Sequence, residues 1–118
     1  MGIRDYRELI VWQKAMDLVV EVYRLTRAFP GDERYGLTNQ VRRAVVSIPS
    51  NIAEGQARQS KAEFRNFLSI AQGSRAEVET QLTIAMRLDY ISNEDARLSL
   101  SLLTEIQKML ATLLKRLQ

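Results

Sequence analysis

The segment SIPSNIAEG, residues 47–55, places a polar stripe beside an apolar one. Apolar residues before and within it recur every three or four positions, the spacing of one helical face; they are Leu37, Val41, Val45, Ile48 and Ile52. The neighbouring polar stripe has the same spacing and consists of Gln40, Ser47, Asn51 and Glu54. Pro49 removes one backbone donor and crowds the carbonyl of Val45, so the segment predicts a helix that bends at this proline.

The composition indicates a single helical domain over residues 1–118. The chain has only two prolines and five glycines, which is typical of helices joined by short turns, and no alternating strand pattern is present. It has no cysteine, which excludes disulfides, thiolate metal ligands and a thiol nucleophile. No apolar run approaches the ~20 residues of a membrane span, and the first residues lack the apolar core of a signal peptide. We therefore expect a cytoplasmic protein without a membrane partner.

Turn signals divide the chain into four helices. Their predicted ranges are 6 or 8 to 28, 32 or 33 to 57, 60 to 89, and from 92 or 93 to the last residues. Ser60 followed by Glu63 is a capping-box pattern, which marks the start of helix three. Because the connections are short, successive helices are expected to run antiparallel. The predicted fold is all-α, an antiparallel up-down-up-down four-helix bundle.

A glycine lies inside helix three. Gly73 costs roughly 1 kcal/mol relative to alanine in a helix interior, so its presence is either tolerated or required by a close helix contact. Ala71, Ser74 and Ala76 are also small. This grouping favours close approach of a second helix at Gly73.

Helix one carries more apolar surface than one bundle core requires. One face holds Leu9, Trp12, Met16, Val19 and Tyr23, and the adjoining face holds Val11, Ala15, Leu18, Val22, Leu25 and Phe29. Together the faces span an arc of roughly 220°. Either helix one is central in its own fold, or one face meets another copy of the chain. We favour the second interpretation and predict an oligomer interface that includes Val11, Trp12, Leu18 and Val22.

Helix three has a polar line that matches the one on helix two. It consists of Ser74, Glu77 and Gln81. If helices two and three pack side by side, Asn51 and Glu54 are expected near Glu77 and Gln81, with Arg43 or Arg75 as a counter-charge. The predicted polar seam comprises Gln40, Asn51, Glu54, Glu77 and Gln81. The alternative is a solvated polar face.

The carboxylates do not predict catalysis. Di-iron bundles use Glu-x-x-His pairs, and this chain has no histidine. No glycine-rich phosphate loop or activated nucleophile pair appears. We expect a protein that is not an enzyme, with no catalytic residue, no metal and no cofactor. A carboxylate-only magnesium site is the weaker alternative.

Basic residues are concentrated in two places, although the net charge is only +3. Near the turn between helices two and three they are Arg58, Lys61 and Arg65, and around the start of helix one they are Arg4, Arg7 and Lys14. A ring of identical copies would multiply weak phosphate contacts. We expect binding of RNA or DNA, with structured RNA favoured, through backbone or shape. The alternative is a protein-protein scaffold whose charges only solvate its surface.

Several segments also resemble a known family. They are LIVWQKA at 9–15, ERYGL at 33–37, NIAEG at 51–55 and FLSIAQGS at 67–74, with Glu77 and Glu79 following. In this order they resemble the four-helix-bundle proteins encoded by intervening sequences in bacterial 23S ribosomal RNA genes. The resemblance implies a homopentamer. It also implies kinship with accessory proteins of diversity-generating retroelements, which are pentameric barrels that bind nucleic acid and a reverse transcriptase.

Overall fold

The computed structural model describes residues 5–118. Its elements in chain order are a 3-10 turn at Tyr6–Glu8, α1 at Ile10–Thr26, a 3-10 turn at Gly31–Glu33, α2 at Leu37–Ala57, α3 at Lys61–Arg87 and α4 at Asn93–Arg116. No strand occurs within this described part of the chain. The all-helical architecture with four α-helices agrees with the predicted fold class.

The N-terminal boundaries of helices one and two differ from the prediction. Tyr6–Glu8 forms a separate 3-10 turn, because Leu9 has an extended backbone with ψ 123° and α1 begins only after it. Gly31–Glu33 forms a second short turn, and α2 begins at Leu37 after Gly36, whose φ and ψ are −113° and −114°. The prediction of continuous helices was therefore wrong at these two starts.

Glu33 caps α2 from outside the helix. Its carboxylate accepts hydrogen bonds from the Leu37 backbone N–H at 3.0 Å and from the Tyr90 hydroxyl at 2.7 Å. The bond from the Leu37 amide, followed by the bond from Tyr90, lowers the pKa of Glu33. The ionised carboxylate thus joins the start of α2 to the turn after α3. The Tyr90 ring also packs against Phe29, with centroids 5.6 Å apart.

Serine side chains cap α3 and α4. The Ser60 hydroxyl accepts from the Glu63 amide at 3.3 Å, while the Glu63 carboxylate binds Arg58, so only half of the predicted capping box forms. At α4 the box is complete, because the Ser92 hydroxyl accepts from the Asp95 amide and the Asp95 carboxylate accepts from the Ser92 amide.

The helices enclose a shared apolar core. Its largest fully buried aliphatic side chains include Leu18, Val22, Ile48, Ile52, Leu68, Leu82, Leu103, Ile106 and Leu110. The order of the contacts along α2 and α3 is reversed, since the Ser47 hydroxyl meets the Ser74 hydroxyl while Gly55 lies against Phe67. Arg65, early in α3, likewise donates to the carbonyl of Leu117, just after α4. These contacts determine which residues of neighbouring helices face each other.

Pro49 lies inside α2 and is buried. Helical structure continues on both sides of it, from Leu37 to Ala57. The Ser47 hydroxyl, two residues before Pro49, pairs with the Ser74 hydroxyl at 2.7 Å. The bend predicted at Pro49 stays a prediction.

A close helix contact occurs at Gly55 and not at Gly73, which corrects the prediction. A Cβ atom on Gly55 would lie 2.6 Å from the Phe67 Cβ and 3.1 Å from the Phe64 Cδ1. A Cβ on Gly73 would have no neighbour within 4 Å among the atoms of residues 5–118. Only a glycine at 55 therefore lets α2 approach the first turns of α3 this closely.

We expect alanine substitutions at the two glycines to change the free energy of unfolding in opposite directions. Gly55→Ala forces α2 away from Phe67 and should destabilise the protein by about 1–3 kcal/mol. Gly73→Ala removes backbone freedom from the unfolded chain without a clash and should stabilise it by roughly 0.5–1 kcal/mol. Urea unfolding followed by circular dichroism measures both. Similar effects of the two substitutions would contradict the assigned contact.

The Glu33 cap predicts a pH-dependent contribution to stability. Since folding lowers the pKa of Glu33, its stabilisation is complete above the ordinary value of 4.5 and is lost as the pH falls below it. Glu33→Gln should lower the melting temperature at pH 7, and the difference from wild type should shrink below pH 4.5. Asp32→Asn, at the neighbouring exposed acid, is the matched control. An equal effect of both substitutions at pH 7 would refute the cap.

Candidate nucleic-acid interface

Arg58 is held by acids close to it in sequence. Its guanidinium donates to the Glu54 carboxylate at 2.9 Å and to the Glu63 carboxylate at 3.0 Å, and it lies 5.1 Å from the centroid of the Phe67 ring. The hydrogen bond to Glu54, followed by that to Glu63, raises the pKa of Arg58. The two carboxylates outweigh its charge locally. Arg58 therefore ties the turn between α2 and α3 together, and its contact with phosphate stays a prediction.

The predicted cations around α1 are also paired. Arg7 forms a bidentate contact with Asp5, with a shortest N–O distance of 2.7 Å, and this contact lowers the pKa of Asp5 to about 2. Lys14 lies 3.1 Å from the carboxylate of Glu105 on α4. Arg4 lies outside the described residues. The predicted group of basic residues at α1 is thus largely neutralised where the structure describes it.

A different set of cations remains free of acids. Lys61 and Arg65 on α3 are exposed, and they have no acidic partner within residues 5–118. Arg65 donates to the Leu117 carbonyl at 2.8 Å, which holds the end of α4 beside the start of α3. The last turns of α4 add further exposed cations without acidic partners in the same range. We name this surface the basic end; it comprises Lys61, Arg65, Lys108, Lys115 and Arg116.

Sequence reasoning missed the α4 members of this surface. Lys115 and Arg116 lie in the last turn of α4, where cations are favourable next to the free carbonyls whether or not they bind a ligand. Their proximity to Lys61 depends on the tertiary contact between Arg65 and Leu117. Spacing within one helix gives no signal for such a contact.

The polar residues of α2 and α3 face each other in a register different from the predicted one. The Asn51 amide donates to the carbonyl and hydroxyl of Ser47 on its own helix, at 2.7 and 2.9 Å. Glu54 pairs with Arg58 at the end of α2. The predicted contacts of Asn51 and Glu54 with the polar residues of α3 are therefore wrong. The close approach at Gly55 places Ser47 beside Ser74, so the residues opposite the far part of α3 come from earlier in α2.

An open cleft between α2 and α3 brings the other polar residues together. Its volume is about 430 Å³, and it is lined by Asn39, Gln40, Arg43, Ala44, Ser47, Glu77 and Gln81. We name it the α2–α3 cleft. The Oε1 atom of Gln81 is buried and has no hydrogen-bond partner in the described part of the chain. Arg75, the other predicted counter-charge, pairs with Glu79 at 2.9 Å instead.

The predicted oligomer-interface residues are mostly in the core of one chain. Val11, Leu18 and Val22 are only 3%, 0% and 0% exposed. They cannot contact another copy, and the prediction was wrong for them because periodicity alone does not show which of two apolar faces is inside. Trp12 is half-buried and packs its ring against Tyr6, with centroids 5.3 Å apart.

Apolar side chains do remain exposed along α1 and α2. Val20 is 67% exposed, the largest exposure of any apolar residue on the described part of α1. Arg42 on α2 stacks over the Tyr23 ring at 4.6 Å, which places Val46, one turn further along α2, on the same side of the molecule. We name this surface the α1–α2 apolar strip; it comprises Trp12, Met16, Val20, Tyr23 and Val46.

Residues 5–118 contain no cluster of three or more carboxylate, imidazole or thiol side chains placed to hold a metal ion. None of the described helices has the length and apolar character needed to cross a membrane.

Comparison with known proteins identifies the family. The model of the 23S rRNA-intervening sequence protein family matches residues 7–112. The chain belongs to this family. No curated protein is significantly similar to it. A crystal structure of a protein of unknown function from the S23 ribosomal protein family of Bacteroides thetaiotaomicron is similar, with 29% identity and a TM-score of 0.80. The similarity covers 90% of this chain and 99% of that one.

Proposed function

We propose that this protein is a non-catalytic, antiparallel four-helix bundle that assembles into a homo-oligomer in the cytoplasm and binds nucleic acid through its basic end. The observation that supports binding is the grouping of exposed cations without acidic partners on the start of α3 and the end of α4. Lysine and arginine bind phosphates by displacing condensed counterions, which requires charges that are not already neutralised. Structured RNA is the favoured ligand.

The mode of binding follows from what the basic end contains. No aromatic side chain belongs to it, so stacking on bases is not available there. Contacts of Lys61, Lys115 and Arg116 with the nucleic-acid backbone would recognise shape and charge without reading sequence.

Self-association is supported by the α1–α2 apolar strip. Its members are 38–67% exposed apart from the half-buried Trp12, and contact with another copy would remove them from water. Assembly would also bring several basic ends onto one particle, and linked weak sites bind a polyanion more tightly than one site does. We propose five copies, as the family resemblance implies, and we include the kinship with accessory proteins of diversity-generating retroelements in the same proposal.

Charge reversal at the basic end tests nucleic-acid binding. The variant Lys61→Glu/Lys115→Glu/Arg116→Glu leaves Arg65 in place to hold α4. It should weaken binding to an RNA hairpin at least tenfold at ~50 mM salt, and it should reduce the salt slope by roughly 2–3, since each phosphate contact contributes about 0.7–0.9. Mobility shifts at several salt concentrations measure both quantities.

The matched control reverses exposed cations elsewhere, in Arg27→Glu/Arg34→Glu/Arg87→Glu. Both triple substitutions change the net charge by the same amount. A difference between their RNA affinities would therefore show a local role of the basic end. Equal losses would show that overall charge, not this surface, controls binding. Absence of wild-type binding to RNA or DNA at ~50 mM salt would contradict the proposal and leave the protein-protein scaffold.

A charge on the apolar strip tests self-association. Val20→Glu should lower the particle mass measured by light scattering toward the 13.5 kDa of one chain, because the carboxylate would be buried at the contact. Leu98→Glu introduces the same charge at a 53% exposed leucine on α4 and should leave the mass unchanged. A wild-type particle that is already a single chain at micromolar concentration would refute assembly.

A further inference from the structure

The α2–α3 cleft holds polar groups that no contact in the fold uses. The side chains of Asn39, Gln40, Arg43 and Glu77 are exposed to the cleft and form no hydrogen bond or ion pair within residues 5–118. By contrast, the Ser47 hydroxyl at the end of the cleft is satisfied by Ser74 and Asn51. The unpaired groups therefore belong to the cleft itself and not to the framework around it.

Opposite charges line this cleft without neutralising each other. Arg43 comes from α2 and Glu77 from α3, and no N–O distance of 4.0 Å or less joins them. The buried Oε1 atom of Gln81 adds an acceptor without a donor. Buried polar atoms in folded proteins nearly always have a partner, so we expect water or a ligand group in the cleft to donate to this atom. A fitting ligand offers acceptors to Arg43 and adjacent donors to Glu77 and Gln81.

We propose that the cleft binds a guanine base. Arg43 donates to O6 and N7 of guanine, a contact that the planar guanidinium makes in a bidentate way. The Glu77 carboxylate accepts from N1–H and from the N2 amino group, and Gln81 Oε1 accepts from the same amino group. Gln40 and Asn39 offer amide donors and acceptors at the rim.

The chemistry of the other bases explains the selectivity. Guanine alone presents two neighbouring donors on its Watson–Crick edge. Adenine and cytosine present one donor beside one acceptor there, and uracil presents one donor between two acceptors. A carboxylate offers only acceptors, so with the other bases one of its oxygens would face an acceptor. The cleft would thus select the base, while the basic end contacts the phosphates. Because RNA is taken as the source of the guanine, this inference rests on the proposed function.

Free mononucleotides test the cleft separately from RNA binding. Isothermal titration of the full chain should show GMP binding about tenfold more tightly than AMP, with IMP, which lacks the N2 amino group, in between. Glu77→Gln should reduce GMP affinity to that of AMP, because the amide NH₂ then faces a donor. Arg43→Ala should weaken GMP binding as well. Asp17→Asn, which neutralises an exposed acid on α1 away from the cleft, is the control and should bind GMP as wild type does.

A second experiment compares the affinities of the protein for short uridine-rich RNAs that carry a single guanine or a single adenine. Preference for the guanine-containing RNA that Glu77→Gln abolishes supports the inference. RNA binding without such a preference, or with a preference that Glu77→Gln leaves intact, overturns the guanine site and leaves the proposed function standing. Loss of all RNA binding with GMP selectivity retained contradicts the proposed function alone. Equal affinity for GMP and AMP overturns the inference.

Discussion

The contact between Gly55 of α2 and Phe67 of α3 controls how the rest of the bundle is arranged. Because position 55 has no side chain, the end of α2 lies directly against Phe64 and Phe67. This contact determines the register of the two helices and brings Ser47 to Ser74. Further from the turn the α2–α3 cleft opens between the same two helices. The framework and the candidate base-binding site thus depend on the same helix pair.

The same arrangement decides which cations are available. Arg58 lies at the turn between α2 and α3 and forms ion pairs with Glu54 and Glu63. Arg65 instead donates a hydrogen bond to the backbone at the end of α4. The surface that remains basic is therefore built from two helices distant in sequence. The net charge of +3 does not indicate where this basic surface lies. The free cations, together with apolar side chains that one chain leaves exposed, support an assembly that contacts a polyanion.

The sequence predicted the helical class and the starts of α3 and α4 well, because periodicity and a capping residue such as Ser60 act locally. It did not predict the register of α2 on α3, since Gly55 and Gly73 look alike in sequence and only the packed structure shows which one has a neighbour. It also placed Leu18 at an interface although the residue is in the core. Ion pairs such as that of Lys14 with Glu105 join separate helices and have no signature in local spacing.

The register of α2 on α3 can be measured directly by cross-linking, because the chain contains no cysteine. Ser47→Cys/Ser74→Cys replaces two hydroxyls that lie 2.7 Å apart, so mild oxidation should convert it to the intramolecular disulfide. Asn51→Cys/Gln81→Cys tests the alternative register and should stay reduced under the same conditions. Mass spectrometry of proteolytic fragments distinguishes the products. A disulfide between positions 51 and 81, with none between 47 and 74, would contradict the account.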